Sequence, residues 1–180
     1  MAIKALLRFL ERTLASPLNY RIIKQIVQFM KARYGIRKAR AEDLEGILGI
    51  EVASFGREAY DRKLFAYYLR RAAGLFLVAE HGGHVCGYLI GCLRGGAAEL
   101  VSVAVNPAFR GRGAGAELLE SFLRRLTYRR IARPRLIVRE DNVPARAFYE
   151  KYGFRRLRRV PRYYEDGGDG IAMWRPVISR

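Results

Sequence analysis

In 180 residues there are only two cysteines, two histidines and one tryptophan, and 17 acidic residues stand against 34 basic ones. Each shortage excludes something. Cys86 and Cys92 lie six residues apart in one strand-like stretch, which predicts the same strand face. Residues that far apart along a strand cannot reach the Cα spacing, under roughly 7 Å, that a disulfide requires. Both are expected to be reduced, buried filler in a cytosolic protein. His81 and His84 flank a Gly82-Gly83 turn, and no Cys/His cluster with metal spacing accompanies them, so no metal is expected. No apolar run reaches the roughly eighteen residues of a membrane span. Arg8, Glu11 and Arg12 interrupt the apolar start, so no secretory signal is read there. Neither an internal repeat nor a low-complexity segment occurs.

What the chain has instead is positive charge, +17 in formal terms. Such a field attracts polyanions: nucleic acid, ribosomes or phosphate-rich cofactors. A basic, arginine-rich surface with no such partner is the equal alternative. Arginine's planar fork suits bidentate phosphate contacts without proving them.

Apolar residues at Ile3, Leu6, Leu7, Leu10 and Leu14 form a helical stripe, which Ser16-Pro17 breaks. A second helix then runs to about Arg33, with Gly35 as its stop residue. Residues 1–35 are therefore expected to form a basic helical hairpin, ahead of a domain over residues 36–180. A strand at Ile36–Ala39 comes next. A helix begins at Glu42 and Asp43, acids suited to the helix dipole, and another spans Asp61 to about Ala72. Leu75–Glu80 and His84–Leu93 read as a hairpin across Gly-Gly, and Ala98–Val105 as a third strand. A helix carrying Leu118, Leu119, Phe122, Leu123 and Leu126 follows, then a strand at Leu136–Arg139 and a short helix over Pro144–Tyr152. Phe154–Val160 and Ile171–Trp174 close the chain as a hairpin. The prediction is an α/β (α+β) fold with a mixed, mostly antiparallel twisted sheet flanked by helices. The strands at 98–105 and 136–139 are joined by a helix and should be parallel neighbours.

The chemistry concentrates where the third meander strand ends. A glycine-rich loop leads into a helix whose first N–H groups lack partners and carry partial positive charge. Glycine lets backbone approach a ligand closely. The result is an anion cradle suited to a pyrophosphate, unless the turn only makes a tight corner. It is not a Walker loop, for no Gly-Lys-Ser/Thr occurs. Nor is it the dinucleotide fingerprint, because the spacing is Arg110-x-x-Gly113-x-Gly115 behind a meander.

That spacing, after Ala104-Val105-Asn106-Pro107, resembles the acetyl-CoA motif of the GNAT acetyltransferase superfamily. Val138 to Phe154, with Asn142, Tyr149 and Gly153, is similar to its second block. Tyr163-Tyr164, an acidic glycine-rich turn and Ala172-Met173 resemble the RimI-type and archaeal N-terminal acetyltransferases. The resemblance covers about Ile36 to Pro176 and implies the GNAT fold, acetyl-CoA as cosubstrate and a cytoplasmic enzyme.

Residue by residue, the resemblance gives pyrophosphate binding to the backbone of Gly111, Arg112, Gly113, Ala114, Gly115 and Ala116, with Arg110 and Arg112 adding charge. It gives the pantetheine arm to Val103, Ala104 and Val105, and a cofactor contact to Asn142, which also suits a helix start. Tyr149 would protonate the departing thiolate, or else is a core aromatic beside Phe148. RimI-type enzymes are expected to carry a glutamate where this chain has Ile137. Glu99, six residues before Val105 and so on its sheet face unless a bulge intervenes, is the replacement base, in the position of histone-type enzymes. Phe55, Tyr60, Tyr163 and Tyr164 are expected to line the acceptor groove. The implied reaction is direct transfer of acetyl to the α-amine of a ribosomal or nascent protein. A peptide α-amine, with pKa near 8 against about 10.4 for lysine, needs less help from a base. Two alternatives stand beside it, a lysine acetyltransferase of a nucleic-acid-associated protein and a non-catalytic RNA-binding module. The basic N-terminal hairpin is read either as an arm that docks on RNA or the ribosome or as a structural cap or dimer contact.

Overall fold

The structure is a computed structural model, and it describes residues 34–176. Most of the expected N-terminal hairpin lies outside the described residues. Its last two positions do not continue a helix. Tyr34 is buried in the core, and Gly35 opens strand β1 opposite Glu80 instead of stopping a helix.

Seven strands make one sheet: β1 (Gly35–Lys38), β2 (Phe76–His81), β3 (His84–Arg94), β4 (Ala97–Val105), β5 (Arg135–Arg139), β6 (Arg155–Val160) and β7 (Gly170–Trp174). They lie side by side in the order β1-β2-β3-β4-β5-β7-β6. Only β4 and β5 are parallel, as the connecting helix requires. Four helices flank the sheet: α1 (Leu44–Phe55), α2 (Arg62–Arg71), α3 (Ala114–Tyr128) and α4 (Val143–Lys151).

Two cores result, one on each face. Leu44, Ile47 and Ile50 of α1 and Phe65 and Tyr68 of α2 pack on Phe76, Val78, Tyr88 and Ile90. On the other face Leu118, Leu119, Phe122 and Leu126 of α3 cover Leu77, Leu89 and Leu100, and Tyr149 and Phe154 extend that core. Each such fully buried side chain contributes about 1.5–3 kcal/mol. Helix α3 seats tightly because β3 has Gly91 beneath it. A Cβ there would stand 2.3 Å from Cε2 of Phe122.

Bulges decide which face each strand residue meets. The β2–β3 register shifts at Ala79/Glu80, so Cys86 and Gly87 both turn toward α3. Cys86 therefore joins the α3 core while Cys92 joins the α1/α2 core, and the expected shared face is corrected. The β3–β4 register shifts between Ile90 and Gly91, leaving Val101 as the extra residue. Ala98, Leu100, Val103 and Val105 pack with the α3 core, and Val101 and Ala104 with the other.

Local sequence explains the helix starts. Asp61 caps α2 by accepting from the Leu64 N–H at 2.9 Å. Asn142 caps α4 by accepting from the Ala145 N–H at 3.0 Å. Asp43 precedes α1 as expected, and it is buried and accepts twice from the Arg37 guanidinium, at 2.7 and 2.8 Å. Arg37 holds its carboxyl below the usual carboxylate range.

Candidate active site

Strands β4 and β5 pair over only two residues, Glu99 with Arg135 and Leu100 with Leu136. Both strands run on, to Val105 and Arg139, without further pairing between them. The sheet therefore opens between them, and β4 beyond Leu100 lacks a ladder on that side. Such a gap leaves backbone groups for a ligand to satisfy. Val103, Ala104 and Val105 border it.

The glycine-rich loop stands at the mouth. Gly111 and Gly113 take φ of 72° and 98°, and nothing lies within 4 Å of where their Cβ atoms would be. The loop backbone is thus open on that side. Gly113 is the N-cap of α3, and its carbonyl accepts from the Glu117 N–H at 3.0 Å. The amides of Ala114, Gly115 and Ala116 precede the first helical bond and have no partner within the helix. Gly115 sits between Val105 and Phe148, bringing the helix start against the splayed strand and α4. An open cradle, free helix-start amides and a splayed strand together fit an extended molecule with a pyrophosphate. Acetyl-CoA has that form, and these are the residues that would hold it.

Two side chains differ from their expected roles. Arg110 turns away from the loop. Its Nε donates to the Val105 carbonyl at 3.0 Å and its Nη2 to Ser54 Oγ at 3.0 Å, tying the end of β4 to α1. Asn142 spends its carbonyl oxygen on the helix cap, and only its amide nitrogen is left for a ligand. Arg112 is exposed beside the cradle.

Tyr149 lies on α4 with its ring against Phe148 and Phe154. Its hydroxyl makes no hydrogen bond among the described residues. Burial, then the nearby Tyr164, pushes its pKa well above the usual phenol value. Burial followed by Tyr163 likewise pushes Tyr164 up to about 12. Tyr60, in turn, is raised by burial and by the charges of Glu51, Tyr163 and Glu165. The Tyr163 and Tyr164 rings meet edge to face with centroids 5.1 Å apart, and Tyr163 lies against Gly170 of β7. Tyr60 and Tyr163 are partly exposed, as is Phe55 at the end of α1.

Arg139, unmarked as a site residue in the sequence, joins the sides of this wall. It ion-pairs with Glu58 from the α1–α2 loop at 3.3 Å, with Asp141 at 3.5 Å and with Asp166 from the β6–β7 turn. Its guanidinium also lies 4.6 Å from the Tyr164 ring centroid.

The carboxylates fall differently from expectation. The bulge at Val101 puts Glu99 opposite Cys92, on the α1/α2 face and not on the face of Val105. There its carboxylate stands 3.9 Å from Arg94, and Tyr68 feels both Glu99 and Tyr60. On that same face Glu51 of α1 is buried, 1% exposed. It accepts from the Tyr60 N–H at 3.0 Å and from the Tyr88 hydroxyl, which is 3.0 Å from Ser102 Oγ at the bulge. Burial pushes its pKa up, opposed by the bonds from Tyr88 and Tyr60. The available signal was its place on the apolar stripe, one turn after Ile47. Ile137, in the position of the missing glutamate, packs its Cγ2 against Gly170.

A sheet split between two parallel strands, with a helix-start anion cradle at the mouth and phenols around the gap, defines a thioester-dependent N-acyltransferase. Residues 34–154 match the Acetyltransferase (GNAT) family. An N-alpha-acetyltransferase of Sulfolobus acidocaldarius is 32% identical over 161 residues, 82% of this chain and 95% of its own length. The crystal structure of Ard1 from Thermoplasma volcanium superposes with a TM-score of 0.78 at 32% identity, covering 81% of this chain and 99% of that one. The ribosomal-protein-S18-alanine N-acetyltransferase of Escherichia coli superposes with a TM-score of 0.71 at 28% identity, covering 80% and 94%. The chain belongs to the GNAT family of acetyltransferases.

Proposed function

We propose that the protein transfers acetyl from acetyl-CoA directly to the α-amine of a protein N-terminus, a ribosomal or nascent chain in the cytoplasm. The observation that carries this reading is the opening between β4 and β5 past Leu100, with the glycine-rich cradle at its mouth and Tyr164 braced by Arg139 at the end of β5. Relatives whose names specify protein N-termini as acceptors support it. Acetyl-CoA supplies an activated thioester, so no acyl-enzyme is needed. Both cysteines are buried in the cores, and the Cys86 Sγ donates to the Ala79 carbonyl at 3.3 Å.

Each residue has a distinct task. The amides of residues 111–116 hold the pyrophosphate, and the open edge of Val103–Val105 holds the arm and steadies developing negative charge on the carbonyl oxygen. The amide nitrogen of Asn142 contacts the same ligand. Tyr149, kept protonated by burial, supplies the proton to the departing sulfur. Glu99 lies on the acceptor face and takes the amine's proton through water. Phe55, Tyr60, Tyr163 and Tyr164 enclose the first residue of the acceptor.

The test is incubation of the protein with acetyl-CoA and two peptide sets, one with free N-termini and one N-blocked but carrying lysine. Acetyl located by mass spectrometry on α-amines, and diminished by Glu99→Gln, is the expected result. Acetyl on lysine alone would replace this acceptor with the lysine side chain. No transfer to either set would remove both.

A further inference from the structure

Far from the cradle, the C-terminal half of α3 carries a different surface. Lys38, Ser121, Arg124, Arg125, Tyr128 and Arg129 line a cleft of about 400 Å³. It contains four cations and no carboxylate. None of the four forms an ion pair among the described residues. Lys38 Nζ and Arg129 Nη2 each lie within 3.4 Å of the point where a Cβ on Gly74 would stand. The two like charges are thus no more than about 7 Å apart, inside a Debye length at physiological salt. Arg125 Nε is buried without a hydrogen-bond partner. A helix C-terminus attracts cations and accounts for part of this clustering. It does not account for Lys38, which comes from β1, nor for an orphaned guanidinium nitrogen.

Tyr128 is the second observation. It is 91% exposed, more than any other large apolar side chain among the described residues. It stands one turn beyond Arg124, and both also line a neighbouring cleft with Arg175 and a single carboxylate, Glu120. A cationic groove with an aromatic ring standing free over it matches a phosphodiester backbone whose unpaired bases can stack. Duplex would offer no open base to the ring.

We infer that this groove is a binding site for single-stranded RNA, with Lys38, Arg124, Arg125 and Arg129 on phosphates and Tyr128 stacked on a base. From Gly115 to Tyr128 the helix rises about 20 Å, so the site is separate from the acetyl donor's cradle. It stands whether the acceptor is an α-amine or a lysine.

Fluorescence anisotropy of the full chain with a labelled oligouridine of about 12 nucleotides tests it. Wild type should bind, with affinity falling steeply as salt rises. Arg124→Glu with Arg129→Glu should weaken binding about tenfold or more and flatten the salt slope. Tyr128→Ala should weaken single-strand binding about fivefold and leave duplex binding unchanged. Arg124→Gln serves as a milder variant, and peptide acetylation and the melting temperature should be unchanged in all of them. No binding by wild type would overturn the proposal, as would wild-type affinity in the double variant. So would indifference to Tyr128→Ala, or competition by polyphosphate or polyglutamate equal to that of RNA at matched charge.

Discussion

Replacing Glu51 separates holding the acceptor loop from everything else the site does. The side chain is buried and accepts two hydrogen bonds, from the Tyr60 N–H at 3.0 Å and from the Tyr88 hydroxyl. Glu51→Ala deletes both acceptors and leaves a small cavity under α1. Bonds to a charged acceptor contribute about 1.5–3 kcal/mol each, and relief of the buried charge offsets part of that. A net loss of about 2–4 kcal/mol follows, or a melting temperature lower by roughly 5–15 °C for a domain this size. Because Tyr60 loses its tether, the peptide KM should rise while kcat changes little. Glu51→Gln keeps an acceptor for Tyr60 and offers Tyr88 a donor, so the loop should stay. The pH dependence then gives the sign. Burial raises the Glu51 pKa above its ordinary 4.5, so between 4.5 and the folded value the native state binds the extra proton. Native stability therefore falls as pH rises through that window, and glutamine removes the fall. Melting temperatures read from pH 4 to 8 should show Glu51→Gln gaining on wild type as pH increases. If Glu51→Gln instead lost ground at higher pH, the carboxylate would be held ionised by its donors, and the argument from burial would be wrong.

Three further predictions concern the chemistry. Tyr149→Phe removes the proton donor without changing the packing with Phe148 and Phe154, and should lower kcat about a hundredfold with the peptide KM unchanged; equal kcat in single-turnover assays would exclude the acid role. The kcat/KM profile should rise with the free α-amine to about pH 8 and then stay level to about pH 10. Burial keeps Tyr149 protonated there and pushes Tyr164 up to about 12, so a fall between pH 8 and 10 would contradict these environments. Arg139→Gln releases Glu58, Asp166 and the Tyr164 ring together, and steady-state assays should show the peptide KM rising about tenfold with the acetyl-CoA KM unchanged.

The order of strands and helices was legible because local patterns carry it. Gly82-Gly83 marks a hairpin, and the long amphipathic helix between residues 98–105 and 136–139 predicts their parallel pairing, which the sheet has. The cradle was legible because glycine spacing is a backbone requirement. Sheet faces were not, because a bulge of one residue reverses every later position and has no local mark here. Cys86 and Glu99 both changed face for that reason. Glu51 sat unseen in an apolar stripe because its donors come from Tyr60 and Tyr88, nine and 37 residues away. Arg139 was hidden likewise, its partners lying in two loops remote in sequence.

The bulge at Val101 also shapes the opening to which the proposed function assigns transfer. Before it, β4 pairs with β5; after it, the pairing ends and the strands diverge. A bulge increases local twist, which draws the two strands apart at the point where the gap is needed. It also reassigns the strand's faces. Val103 and Val105 turn to α3, whose N-terminus holds the cradle, and Glu99 and Val101 turn to α1 and α2, whose connecting loop carries Tyr60. On the function proposed above, donor and acceptor would approach from opposite faces of one sheet and meet in the opening between β4 and β5. Tyr149 belongs to the α3 core, yet it feels Tyr164, which in turn feels Tyr60. Without the extra residue, Glu99 would share the face of Val105.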